Sequence, residues 1–379
     1  MAAVFASTPA LAATPVRWCG GGARMTGDRI PDAVTARQIH VIYAVAADGQ
    51  DRFDSVAAGI TTDLLAIDEW WRREDPTRTP RFDLFAYPAC ESRLGLLDLS
   101  FLRLPQPATF YRADGGFGSM IDGVRAAGFV DEHKKYMVFY DGDAGSGVCG
   151  LANFGLPRDG GAASTLVVWL RSYCPDDLGA GRFQASVVAH ELLHLLGALA
   201  WPFPSPGPPN ACPDQAHTCD SPVDLLYGRS TDLPLEFRML DPGHDDYYAH
   251  SSSWWDVRDS DWLAHLDAPQ FPLRVSIDGP TEVGMVRTNL PGIICPPACE
   301  GEFEAPTRVE LRAQEWVQNR FFDHWDGACK GAAPCAVTLD AARAVTVHYA
   351  APTKSLTVGV KGRGRVASVP AGIACPGVC

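Results

Sequence analysis

The stretch FQASVVAHELLHLLG, residues 183–197, constrains this chain more than any other. It is apolar almost all round, which marks a helix buried inside a domain rather than one lying on its surface. Gly197 follows the last apolar turn, where a residue free to adopt positive φ ends a helix. His190 and His194 stand four residues apart, so both imidazoles project from one face and can grip one ion. Glu191 sits about 100° round the same helix, close enough to touch a water at that ion without ligating it. A general base beside a zinc-acidified water has this geometry, so three roles fall within five residues. Leu192, Leu193, Leu195, Leu196 and Leu199 are the buried faces of the helix. The competing reading is two core histidines satisfied by hydrogen bonds.

Around this helix the chain has room for two domains in its 379 residues. With 46% apolar and 20% charged residues, and no run of 18 uninterrupted apolar ones, it reads as globular and without a membrane span. A net charge of −13 argues against a nucleic-acid partner, since phosphate contact needs concentrated Lys and Arg. Of the twelve cysteines, eight fall in close pairs: Cys212 with Cys219, Cys295 with Cys299, Cys329 with Cys335, and Cys375 with Cys379. Their Pro-, Gly- and Ala-rich surroundings lack the two-clamp pattern of a zinc finger, so disulfides are expected. MAAVFASTPALAATPV opens the chain with a short apolar stretch and a cleavage-like Ala-Leu-Ala at Ala10 to Ala12, though without a basic n-region. Residues 1–13 are read as a signal-peptide remnant and the protein as secreted.

Residues 14–268 form the first expected domain. IHVIYAVA, RFDLFAYP, LLDLSFLRL, KKYMVFYDG and STLVVWLRSYC read as strands, and SVAAGITTDLLAIDEWWRRED as a long amphipathic helix. GSMIDGVRAAG reads as a shorter helix. The order implies an α+β fold: a twisted mixed sheet backed by helices, with the HELLH helix as the active-site helix. WPFPSPGPPNACPDQAHTCDSP is too rich in proline for regular structure and should wrap as a loop stapled by Cys212 and Cys219. In YDGDAGSG, Asp141 and Asp143 are spaced like the start of a calcium loop, but no terminal glutamate follows; solvated turn residues are expected.

From about residue 273 the pattern becomes alternating apolar and polar, and it repeats. GMVRTNLPGIICPPAC matches GRVASVPAGIACPGVC without a gap at a shift of 80 residues. A small all-β repeat module at 273–351 and a truncated second repeat at 352–379 follow from this.

His190-Glu191-x-x-His194-x-x-Gly197 resembles the start of the metzincin zinc-protease signature. DSPVDLLYG, residues 220–228, resembles the methionine turn of secreted actinobacterial metzincin-like proteins, with Leu226 where methionine is usual. YAVAADGQDRF, WWRREDPTRTPRFD and KKYMVFYDG are similar to further segments of that group, so the resemblance spans roughly residues 38–266. It implies a metzincin-like fold and a zinc endopeptidase acting on proteins or peptides, but it departs at the third ligand. The family places that ligand six residues after the second histidine, where this chain has Ala200. Catalytic zinc normally takes three protein ligands, so a replacement is required. His217 is the leading candidate, because it precedes the turn and is tethered between Cys212 and Cys219. Asp224 follows, since VDLLYG also resembles the Asp-x-x-Tyr-Gly segment of the aspzincins; Asp220, His244 and Glu236 remain open. Tyr227 and Tyr247 could stabilise an oxyanion, although tyrosines near turns more often pack.

FFDHWDGACKGAAPCAVTLDAARAVTVHYA resembles the divergent internalin-type B-repeat of exported bacterial proteins, on Trp325, Gly327, Cys329, Gly331 and Cys335. Such modules act as spacers or adhesive domains, which implies contact with a cell surface or matrix. Trp325 could stack on a carbohydrate or pack over the small core. The expected function is therefore a secreted zinc-dependent endopeptidase with His190, His194 and His217 on Zn2+ and Glu191 as general base. The alternative is a binding protein on a protease scaffold that no longer cuts.

Overall fold

The computed structural model describes residues 27–28, 35–85, 96–112, 116–145, 147–153, 157–171, 177–200, 202–203, 205–228, 233–278, 284–290, 292–315, 321–350, 356–369 and 372–375. The expected signal-peptide remnant at 1–13 lies outside them.

Strand β1 (Gln38–Val45) is buried along its whole length, as a strand covered on both faces of a parallel sheet must be. It runs parallel to β2 (Leu99–Arg103) on one side and to β3 (Lys134–Tyr140) on the other. β4 (Gly150–Ala152) and β5 (Thr165–Trp169) complete the sheet in the order β2-β1-β3-β5-β4. Only the edge strand β4 runs antiparallel. With the helices against this mixed sheet, the fold is α+β.

Helix α1 (Phe53–Glu74) buries Phe53, Val56, Ile60, Leu64, Ile67 and Trp71, an apolar stripe at three- and four-residue intervals. Arg72 and Arg73 in its last turn lie where a cation complements the helix dipole. α2 (Gly116–Ala126) covers the other face, where Met120 and Val124 join Ile42, Tyr136 and Val138. α3 (Phe183–Leu195) carries the HELLH residues and shares the core of α1 through Val188, Leu192, Leu193 and Leu196. Each of these leucines is fully buried, worth about 1.5–3 kcal/mol.

Both ends of α3 are fixed by identifiable hydrogen bonds. At its start, the Asp177 carboxylate accepts from the backbone N–H of Phe183 and Gln184. At its end, Gly197 N–H donates to His194 O and Ala198 N–H to Leu193 O, a Schellman cap. Gly197 has φ +93°, and a Cβ there would meet Pro157 Cβ at 2.4 Å, so both conformation and space demand glycine.

Asp141 corrects the expectation of solvated turn residues. Its carboxylate is buried and binds Arg52, Arg171 and the Tyr43 hydroxyl at 2.6–2.7 Å. Asp143 remains at the surface, paired with Arg112.

The C-terminal strands form two four-stranded sheets: β6 (Gln270–Asp278), β7 (Gly284–Thr288), β8 (Ile294–Cys295), β9 (Glu300–Glu304), β10 (Thr307–Glu315), β11 (Phe321–Gly327), β12 (Cys335–Leu339) and β13 (Arg343–Ala350). Their orders are β9-β6-β13-β11 and β8-β7-β10-β12. Leu273, Val275, Val345 and Val347 of the first share one core with Val286, Val309, Leu311 and Leu339 of the second. Trp325 belongs to that core at 3% exposure, which removes it as a carbohydrate platform. The sequence repeat is also a structural one: Val286 pairs with Cys295, and 80 residues on Val366 pairs with Cys375 in the same antiparallel register. A salt bridge from Arg81 to Glu304 at 2.7 Å ties this module to the first.

Disulfides join Cys212 to Cys219, Cys295 to Cys299 and Cys329 to Cys335, three of the four expected pairs. Cys379, of the fourth, lies outside the described residues. No helix among the described residues is long and apolar enough to cross a membrane.

Candidate active site

The HELLH turn of α3 faces a cleft bounded by Val148 and Cys149, by Gly150 at the start of the edge strand, and by Leu225, Tyr227 and Gly228. His190 and His194 approach one another Nε2 to Nε2 at 3.2 Å, as the four-residue spacing requires. The loop closed by Cys212 and Cys219 brings a third imidazole to them. His217 stacks on His190 with ring centroids 5.3 Å apart and meets His194 edge-on at 5.2 Å. One nitrogen from each of the three rings lies within 4.8 Å of the others. None of Asp220, Asp224, Glu236 or His244 joins this cluster.

Backbone pairing positions His217. Cys212 N–H donates to His217 O, Thr218 N–H to Leu226 O and Gly228 N–H to Thr218 O, so the stapled loop is laced to the turn behind it. That turn rests on Asp224, whose buried carboxylate accepts from Leu226 N–H and the Tyr247 hydroxyl, both at 2.7 Å. Asp224 is thus occupied beneath the site rather than at it, and burial raises its pKa to about 7. Tyr247 is wholly buried in the same network, which leaves Tyr227 as the one of the two tyrosines that lines the cleft. Leu226, read in the sequence as standing where a methionine turn would carry methionine, is fully buried.

The outer hydrogen bonds fix the tautomers of two of the rings. His190 Nδ1 lies 2.7 Å from Leu225 O, and a carbonyl can only accept, so Nδ1 carries the proton and Nε2 keeps its lone pair. His217 Nδ1 donates to Asp214 Oδ2 at 2.8 Å, again freeing Nε2. Sequence reasoning missed Asp214; an acid three residues before a loop histidine was the available signal. Desolvation lowers His190 to about 4, helped by His217 and Arg238, and holds His194 well below the usual imidazole value. These two rings are neutral at pH 7 and offer lone pairs.

Such a donor set fits zinc. A tetrahedral ion with metal–nitrogen bonds of about 2.0–2.1 Å sets its nitrogens about 3.3–3.4 Å apart, close to the 3.2 Å separation of the two Nε2 atoms. Imidazoles oriented by a carboxylate and a carbonyl are the usual outer shell of that metal. Glu191 is buried against the edge strand, and desolvation pushes its carboxyl up to about 8; a cation beside it would pull that value back down.

No family model matches the chain, and no curated protein matches it. Among solved structures, wild-type OgpA from Akkermansia muciniphila aligns at 11% identity and TM-score 0.31, covering 86% of this chain and 85% of that one. Catalytically inactive OgpA in complex with an O-glycopeptide substrate aligns at 13% identity and TM-score 0.28, covering 78% and 92%. Likeness at this level fixes neither fold nor activity.

Proposed function

We propose that this chain is a secreted zinc-dependent endopeptidase of metzincin-like architecture. One observation carries the reading: three imidazole nitrogens converge within 4.8 Å in a cleft beside a buried, non-converging glutamate. A structural metal site has no use for that glutamate, whereas hydrolysis needs a base there. His190, His194 and His217 would hold the zinc. When bound, it supplies Lewis acidity that polarises a peptide carbonyl and makes water a stronger acid.

The rest of the chemistry belongs to side chains and backbone of this chain. Glu191 accepts the proton of the attacking water and returns it to the leaving amine. Its burial strengthens both transfers by keeping bulk water from the carboxylate. β4, the antiparallel edge strand, lines the cleft and offers an extended peptide a backbone ladder to pair with. Such pairing reads main chain rather than sequence. Three disulfides among the described residues support an oxidising, extracellular setting.

Two measurements test this. Purified protein should hold zinc that His217→Ala loses sharply, and wild type should digest casein or gelatin while Glu191→Ala does not. Equal digestion by both would remove the mechanism. Zinc binding without any digestion would favour a binding protein on a protease scaffold.

A further inference from the structure

The C-terminal module carries a side-chain cluster that the peptidase reading does not use. Along β11, Trp325 points into the core, so alternation places His324 and Asp326 on the opposite, outward face. His348 on β13 is the register partner of His324, and Asp278 on β6 is the register partner of His348. Three neighbouring strands thus bring their polar side chains to one spot.

The two imidazoles stack with centroids 4.2 Å apart and planes 3° from parallel. His348 Nδ1 lies 2.7 Å from Asp278 Oδ2, and a carboxylate only accepts, so Nδ1 carries the proton. His324 Nδ1 donates to Asp323 at 2.9 Å in the same way. Asp323 sits where the register with β13 shifts, a bulge that turns its carboxylate to the ring of its neighbour. With a proton on each Nδ1, Nε2 is the ring nitrogen left in each to bind an ion. His348 Nε2 is inaccessible to solvent, has no hydrogen-bond partner among the described residues, and lies 3.7 Å from Asp326 Oδ2. One ligand atom from each of His324, Asp326 and His348 lies within 4.8 Å of the others.

We propose that His324, Asp326 and His348 form a second cation site, for a divalent transition ion such as Zn2+, Ni2+ or Cu2+. Two imidazoles and one carboxylate favour these ions over Mg2+ or Ca2+, which take all-oxygen sets. Carboxylates on both Nδ1 atoms orient the rings as outer partners orient metal-ligating histidines. A buried Nε2 with no donor is costly in a purely hydrogen-bonded cluster, and a cation removes that cost. The ion would clamp the edge strand β11 to β13. Because it binds only folded protein, it would raise the stability of the module by mass action.

The test is Zn2+ stoichiometry of the full chain by equilibrium dialysis against excess Mg2+, with wild type, His348→Ala, His324→Gln and His194→Ala side by side. Two equivalents in wild type are expected, one in each of the His348→Ala and His324→Gln proteins, and one in His194→Ala. Asp278→Asn should weaken the second equivalent about tenfold by releasing the orientation of His348. Unchanged stoichiometry in both module variants overturns the site. A single wild-type equivalent lost only in His194→Ala overturns it too, and leaves the peptidase reading standing. A single equivalent lost only in His348→Ala and His324→Gln supports the site and counts against the zinc centre on α3. As a readout independent of stoichiometry, Cu2+ added to a His190→Ala/His194→Ala/His217→Ala protein should show nitrogen coupling in its paramagnetic resonance spectrum. The same coupling persisting after His324→Gln and His348→Ala are added to that protein would contradict the assignment.

Discussion

A Cβ added to Gly150 would stand 2.4 Å from Glu191 Cγ and 2.8 Å from Glu191 Oε1, so the edge strand and the carboxylate meet with no room between them. Side chain and strand position one another. Replacing Gly150 by alanine must move Glu191, the strand, or both. Displacements near 1 Å at a reacting group cost up to about a hundredfold in rate. Gly150→Ala should therefore lower kcat/KM about 10- to 100-fold while zinc content stays at the wild-type level. Loss of zinc together with activity would show that the substitution disturbs the imidazoles and not the base.

Asp214 holds His217 by its Nδ1 proton at 2.8 Å and lies within the loop closed by Cys212 and Cys219. Asp214→Asn keeps the shape and removes the charge, so His217 loses a partner that fixes its tautomer. Losses of about 10–100-fold in metal affinity are typical of such outer partners. Competition with a zinc chelator should give a shift of that size, with the His217→Ala protein weaker still. An unchanged affinity in Asp214→Asn would mean that the backbone lacing of the loop alone positions His217.

The parts of this site that were legible in the sequence are those whose geometry is local. His190, Glu191 and His194 share one helix, and helical spacing converts their sequence positions into directions. His217 was recognisable only as one candidate among five, because a loop has no period. Its position depends on a disulfide and on hydrogen bonds to residues 226 and 228 that no local pattern announces. β4 escaped notice for a related reason: three residues, Gly150–Ala152, are too few to show alternation. Asp141 was misread because Asp-Gly-Asp is turn-like, whereas two arginines from distant segments, Arg52 and Arg171, converge on it. The long strands and α1 were legible because burial on both faces, or on one stripe, writes itself into composition.

Leu226 is fully buried beneath the turn that accepts from His190. Leucine and methionine are close in volume, so Leu226→Met should change stability by less than about 1.5 kcal/mol and leave zinc affinity near wild type. Leu226→Ala opens a cavity under the site and should cost about 2–5 kcal/mol. Urea unfolding of both variants would decide this. A large loss in Leu226→Met would show that the turn requires the branched shape of leucine.

Asp75 ends α1 and gathers four donors: Thr77 N–H and Thr77 Oγ1 on one oxygen, the Tyr248 hydroxyl and Arg258 Nε on the other. Desolvation alone would raise its pKa, but these donors outweigh it and hold the group at about 2, below the ordinary 3.8. The folded state therefore favours the ionised form more than the unfolded chain does. Its stabilising contribution is present in full above the unfolded value and is lost as pH falls through 3.8 towards 2. Asp75→Asn removes this titration. At pH 7 the variant should be less stable by about 1–3 kcal/mol, the cost of leaving buried partners poorly satisfied. Between about pH 4 and pH 2 the gap to wild type should narrow, because wild type alone is losing this contribution. Urea midpoints measured across that range would check it, and parallel curves for the two proteins would show that Asp75 is not the group responsible.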